Sequence, residues 1–301
     1  MSKTSNHEWK TVALDSLAQR PRCGYKPDGA VCAEPTAMAA LALAAHDRPD
    51  PAAEAVKQLA EMQQPDGAVG VSIEQNEPVW PTGLAVIAWQ VCGAGDDGLN
   101  RFQSQIDRAI AKILEVKGQT LQPSDVLGHD VTLQAWPWVQ GTHSWIEPTT
   151  YQVLALKLSG LSDHPRCREA VDLLIDRLLP DGGCNYGNTF VLGNKLRPHL
   201  QPSGLALLAL RGESDDSGRL AKTVDYVRDQ LSPQTTPLSL SFALLGLAAQ
   251  GVDVPAEEWL AAAYRANPST QTSPYKSAML LLAAARNRCL LTQGNQQEAS
   301  A

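Results

Sequence analysis

Apolar positions fall into two kinds of run that alternate along the chain. In the first kind Ala and Leu follow one another almost without a break: AMAALALAA (37–45), GLAVIAWQV (83–91), TYQVLALKL (150–158) and GLALLALRG (204–212). LSLSFALLGLAAQ (238–250) and YKSAMLLLAAARN (275–287) belong with them. A helix that is apolar all round is one enclosed by other helices. In the second kind apolar residues recur at three- and four-residue spacing with charges between them, as in 52–64, 101–116, 165–179, 218–231 and 256–266. That period predicts helices with one buried face. The stretch 8–19 supplies a sixth member of this outer set.

The all-apolar runs are copies of one unit. Four of them follow a residue, Pro, and then Thr or Ser: Glu34-Pro35-Thr36, Trp80-Pro81-Thr82, Glu147-Pro148-Thr149 and Gln201-Pro202-Ser203. Pro237 and Pro274 precede the other two. Proline suits a first helical turn, because its φ is already helical and its missing N–H has no partner there to lose. Six enclosed and six one-faced helices in alternation leave open ends as a flat stack, and closing them into a ring removes those ends. The expectation is therefore an all-α protein, a single (α/α)6 toroid domain over 1–301. Its inner ring is predicted at 32–47, 80–94, 147–160, 201–211, 238–250 and 274–287. Only 67–73 (GAVGVSI) offers a short β pattern. The connection 117–144, rich in Trp, Gly, Pro and His, exceeds a passive loop and is expected to be functional. Residues 291–301 are expected to form a flexible tail.

Composition narrows the partners. Lys plus Arg number 25 against 32 Asp plus Glu, a net charge of −7 spread along the chain, which disfavours a nucleic-acid partner. With 44% hydrophobic residues the chain can fill a sizeable core. No stretch reaches the roughly 18 apolar residues of a membrane span, and MSKTSNHEWK carries no signal-like apolar run. A cytoplasmic protein with at most peripheral membrane contact is expected, its oligomeric state left open. Six cysteines without a CxxC pair indicate neither a disulfide framework nor a zinc ribbon. GxxxxGK, GxGxxG, HExxH, GxSxG and DDxxD are all absent, and no cofactor or metal is expected.

Candidate chemistry gathers at the helix starts and in the long loop. Glu34 and Glu147 each stand before a Pro-Thr start, where a carboxylate also suits the free N–H groups of the first turn. Trp136, Trp138 and Trp145 crowd the approach to Glu147, and Trp80 opens another inner helix. Electron-rich faces of this kind attract a cation. His129 beside Asp130, with His143 further along the loop, is a candidate proton relay. Tyr151, His199, Gln201 and Tyr275 lie at inner-helix starts and are candidates for a polar rim.

Three sets of residues resemble the squalene and oxidosqualene cyclases, other class II terpene cyclases and the β-subunits of protein prenyltransferases. QQPDGAVG (63–70) and LLPDGGCNYG (178–187) look like the cyclases' QxxDGxW turn, with KPDGAVC (26–32) a degenerate third copy. EPVWPTGLAVIAW (77–89) is similar to their PVWDTGLA start, and AWPWVQGTHSWIEPTTYQVLAL (135–156) to the stretch entering their DxDDTA helix. The resemblance covers nearly the whole chain, at the size of one barrel. It implies a toroid that handles isoprenoids, its central cavity opening beside the inner-helix starts, with Glu147 in the place of the proton-donating middle Asp and Trp145 and Pro148 where the flanking aspartates stand. A polyprenyl or other hydrophobic small molecule is the implied ligand; a non-catalytic toroid binding a lipid or protein partner is the alternative, and zinc-dependent prenyl transfer a third reading that ranks below it. His199 resembles the zinc-binding His of the prenyltransferases. Asp181 and Cys184 are the nearest candidates for the other two ligands, but both lie in the DG turn and are not expected to bind metal with it.

Overall fold

The computed structural model describes residues 3–293 apart from 96–97, 124–126 and 267. Helices come in outer–inner pairs: α1 (Lys3–Gln19) and α2 (Ala33–Ala45), α3 (Pro49–Glu61) and α4 (Thr82–Cys92), α5 (Gln103–Glu115) and α6 (Ile146–Leu158). Then follow α7 (Pro165–Asp176) and α8 (Leu200–Ala209), and α9 (Arg219–Gln230) and α10 (Pro237–Ala249). The last pair, α11 (Glu257–Arg265) and α13 (Pro274–Ala284), is separated by the single turn α12 (Pro268–Thr272). Each inner helix packs on the next, and α13 packs back on α2, so the inner ring closes. Outer helices α3, α5, α9 and α11 each lie against two consecutive inner ones, and α1 seals the seam between α13 and α2 while also touching α11. The chain is an all-α (α/α)6 toroid, and no helix among the described residues is long and apolar enough to cross a membrane.

One hydroxyl per repeat explains the Pro-Thr/Ser unit. Thr36 Oγ1 accepts from the Cys23 N–H and donates to the Cys23 carbonyl, at 3.2 and 3.0 Å. Thr149 does the same to Trp136 (3.3 and 3.4 Å). Thr82 accepts from the Val69 N–H (3.0 Å) and Ser203 from the Cys184 N–H (2.9 Å), while their own protons go to the nearer carbonyls of Val79 and His199, both at 2.6 Å. All four hydroxyl residues are buried. Each bond is worth about 1 kcal/mol net, but a buried N–H stripped of its acceptor costs about 1–3 kcal/mol. The hydroxyl thus fastens the loop from an outer helix to the start of the next inner one. In the last two copies it turns elsewhere: Ser241 donates to Pro237 and Ser277 to Thr270.

The far ends of the inner helices are tied side to side. His46 Nε2 meets the Leu281 carbonyl at 2.9 Å, Gln90 reaches Ser159, Lys157 donates to the carbonyls of Ala209 and Arg211, and Gln250 donates to that of Leu207. Like ends therefore lie together, and the inner helices run parallel. Between the two ends the ring is packed. Met38, Leu41, Leu84, Ile87, Leu205, Leu244, Met279 and Leu282 are no more than 2% exposed, and the central cavity expected from the sequence is replaced by apolar packing. Packing is closest between α8 and α10, where a Cβ on Gly204 would lie 2.3 Å from the Phe242 carbonyl oxygen.

Several local expectations change. Residues 67–73 form no strand, only a single bridge of Val69 to Gln63, whereas 190–191 and 194–195 pair as an antiparallel hairpin that the sequence did not signal. KPDGAVC is not a third copy of the DG turn: Thr36 clasps Cys23, upstream of it, and Asp28 pairs with Arg20 in the open. The true copies agree closely. Gly67 (φ +91°) and Gly182 (φ +96°) each sit against the backbone of the next outer helix, where a Cβ would come within 2.2 Å of the Arg108 oxygen or 2.3 Å of that of Lys222. The long loop 117–144 holds no helix or strand among its described residues. Of the expected tail, 291–293 belong to the short helix α14 (Leu290–Gln293) and 294–301 lie outside the described residues.

Thr82→Val, which keeps the shape and strands the Val69 N–H, is expected to lower the urea unfolding free energy by about 1–3 kcal/mol, and Thr82→Ser by less. Gly204→Ala is expected to cost at least about 1–3 kcal/mol by forcing α8 and α10 apart. Denaturation followed by circular dichroism measures both.

Candidate active site

Two residues before each hydroxyl position stand Glu34, Trp80, Glu147, Gln201, Ser239 and Tyr275. Fixing the hydroxyl fixes the first turn, and with it the aim of this residue toward the end of the ring where the inner helices begin. Glu34 Oε1 accepts from the Tyr275 hydroxyl at 2.8 Å, while its Oε2 accepts from Tyr25, in the loop before α2. Glu147 Oε1 accepts from Tyr151, one turn further along α6, at 3.3 Å. Tyr151 stacks on Trp80 with ring centroids 6.1 Å apart, and Trp138 meets Trp80 edge-on at 4.7 Å. Starts of α2, α4, α6 and α13 thus converge on two carboxyls, three phenols and two indoles.

The electrostatics of this cluster are set by what it lacks. Glu34 and Glu147 are 6% and 8% exposed, and among the described residues neither carboxyl forms an ion pair with Lys, Arg or His. Burial, and then the charge of Glu34, push the Glu147 carboxyl up to about 8, with the Tyr151 bond acting the other way. Burial also raises Glu34, opposed by its bonds from Tyr25 and Tyr275. Two buried carboxyls beside one another titrate as a pair, which keeps a proton at neutral pH. Tyr25, Tyr151 and Tyr275 are all held protonated, chiefly by burial and then by the carboxyl charges.

The other half of the ring end is open. Gln201 and Ser239 line a cavity of about 710 Å³ between the starts of α8 and α10 and the helices α11 to α13. Lys276 is its one charged lining residue, Thr235, Thr236 and Thr270 add hydroxyls, and alanines of α11 form an apolar wall.

The remaining sequence candidates are distributed elsewhere. Trp136 borders a small pocket with Trp80 and Trp138 but is held mainly by the core: it is 2% exposed, its indole N–H donates to the Ile113 carbonyl at 2.8 Å, and the Arg166 guanidinium covers its ring. Trp145 packs against His143 (4.4 Å) and Gly187. His129 bonds Thr189, and Asp130 takes the N–H and hydroxyl of Thr132; none of the site carboxyls or phenols is a partner of either, so the relay expected of them is not assembled. His199 is exposed, with its ring 5.5 Å from Tyr186. Asp181 pairs with Lys195 in solvent, while the Cys184 thiol is buried and pushed up to about 12. Among the described residues no three His, Cys, Asp or Glu side chains are grouped so as to hold a metal ion. Sequence reading missed Tyr25, whose only signal is its place between Cys23 and Cys32, nine residues ahead of Glu34.

No family model matches the chain, nor does any curated protein. Solved structures do. A protein from Actinoplanes superposes with a TM-score of 0.61 at 14% identity, over 94% of this chain and 99% of its own. A type II terpene cyclase from Scytonema gives 0.59 at 15%, covering 95% and 97%, and a glycosidase gives 0.58 at 12%, covering 97% and 99%. At these identities the likeness is one of fold. It places the chain among the (α/α)6 toroids, a class in which one scaffold carries different chemistries.

A carboxyl that is protonated in the fold and ionised in the unfolded chain makes the native state bind more protons, so stability is full at low pH and falls as pH rises through the folded value. The unfolding free energy is expected to decline between about pH 5 and pH 8, by up to about 1.4 kcal/mol per pH unit for each proton held. In Glu147→Gln the decline is expected to be shallower. Urea titrations across that range, wild type against variant, check it.

Proposed function

We propose that the protein is an acid catalyst of the cyclase type, in which the Glu147 carboxyl starts the cyclisation of a polyprenyl substrate laid across the open end of the ring. The observation that carries this reading is the pair of buried carboxyls without a cation, which stores a proton where a general acid needs one. Glu147 donates that proton to the reacting carbon or oxygen, and the carboxylate left behind faces the cation it has made. Trp80, Trp138 and Tyr151 present electron-rich faces to the same cation. Glu34 takes a second role in this scheme. Its own proton affinity, tuned by Tyr25 and Tyr275, sets how readily Glu147 releases its proton. Gln201 and Tyr275 border the space the substrate occupies. Among the described residues the packed ring interior leaves no central cavity for a polyprenyl chain, which counts against cyclisation inside the ring. It favours a second reading, a toroid that binds a lipid or protein partner at the same end without turning it over.

Incubation with squalene, farnesyl diphosphate and geranylgeranyl diphosphate, followed by mass spectrometry, separates the two. Glu147→Gln is expected to lower product formation by at least about 10²-fold while leaving ligand-induced tryptophan quenching intact. Glu34→Gln is expected to lower the rate and shift its pH dependence. Equal turnover by wild type and Glu147→Gln removes Glu147 as the acid. Binding without product in the wild type favours the non-catalytic toroid.

A further inference from the structure

A carboxyl pair that gives up a proton in each turnover must recover one, and its burial leaves few routes. Glu34, Glu147, Tyr151 and Tyr275 are each at most 8% exposed. Tyr25 is different: it is 40% exposed, and its hydroxyl nevertheless donates to Glu34 Oε2. It is the partly exposed residue among those bonded to the acid pair.

Its placement is independent of that bond. The Tyr25 carbonyl accepts from Ser273 Oγ at 2.9 Å, and its ring meets Tyr275 edge-on with centroids 5.3 Å apart. The loop that carries it is tight, since a Cβ on Gly24 would lie 2.2 Å from the Ala30 oxygen. Backbone and ring face therefore hold Tyr25 over Glu34, and the hydroxyl is free to exchange its proton without losing its seat. The groups facing the pair are Tyr25 and Cys32 from the loop before α2, Tyr151 from α6 and Tyr275 from α13. None is basic, so no buried base competes with this route.

We propose that Tyr25 is the proton relay of the site, a positioning residue that acts through Glu34 and connects the buried carboxyl pair to water. The inference rests on the acid reading of Glu34 and Glu147. After Glu147 has lost its proton to substrate, Tyr25 hands the proton of its Oη–H to the Glu34 carboxylate while taking another from a hydronium ion, and the coupled pair returns that proton from Glu34 to Glu147. The tyrosine is unchanged, one proton enters from solvent, and the proton shed when the product cation is quenched returns to solvent.

Infrared spectroscopy on the full chain tests this without substrate. A protonated carboxyl gives a C=O band that Glu147→Gln removes, and on mixing into D2O the band shifts as the proton is replaced. Tyr25→Phe is expected to slow that replacement by about tenfold or more, at unchanged circular dichroism. Tyr275→Phe removes the other hydroxyl from Glu34 but lies in the buried side of the cluster, so it is expected to move the midpoint of the band's titration and leave the rate near that of the wild type. Tyr25→His keeps a ring and supplies a titratable nitrogen, and is expected to restore fast replacement. Equal rates in wild type and Tyr25→Phe, with the band present, overturn the relay alone. A wild type with no band removable by Glu147→Gln overturns the stored proton and the relay together.

Discussion

A buried hydroxyl that accepts a backbone N–H from the incoming loop ties an inner helix to the loop that feeds it, and the toroid repeats this in four of its six units. The bond is not strong alone. Its value is in direction, because with the hydroxyl's own proton on a nearby carbonyl it fixes the roll of the inner helix relative to that loop. The residue two positions earlier then has little freedom in where it points. In a ring of parallel helices such residues converge, so the same device that closes the architecture builds the carboxyl-bearing end. Where the hydroxyl bonds elsewhere, at Ser241 and Ser277, the adjoining region is the one that holds the open cavity beside α10 and α11.

The carboxyl pair is costly on its own terms. Burying two acids without a cation is favourable only if a proton stays with them and their remaining lone pairs find donors. The three phenols meet the second need. They offer hydrogen bonds without bringing positive charge, which would ionise the pair and discharge the acid. A lysine at the position of Tyr275 would make a more stable ion pair and a poorer proton donor.

The sequence made the helices legible because their period and apolar content are strong signals, and the inner and outer sets fall within a few residues of where the pattern put them. It also marked Glu34, Glu147, Tyr151 and Tyr275, since each lies on a helix start whose neighbours are known from the repeat. What it could not show depends on tertiary pairing. Trp136 does border a small pocket with Trp80 and Trp138, but its indole bond to Ile113 of α5 depends on how the loop packs, which the sequence does not show. Tyr25 sits in a loop whose path is set by Cys23 and Thr36, thirteen residues apart. The hairpin at 190–195 lacks an Asn-Gly or Asp-Gly turn, and places Leu192 at φ +49°, where such a residue is uncommon.

That hairpin explains one irregularity in the repeat. Three of the hydroxyl fastenings span 13 residues, at Thr36, Thr82 and Thr149, and the fourth, at Ser203, spans 19. The difference of six equals the length of the segment 190–195, and the Cys184 N–H is held by Ser203 as its counterparts are held elsewhere. Because both ends of the segment are pinned, added chain between them is looped out without disturbing the ring, and lengthening a loop costs little conformational entropy. The segment between Cys184 and Ser203 is therefore an insertion port, a place where the rim of the toroid can be extended or exchanged while the helices beneath keep their register.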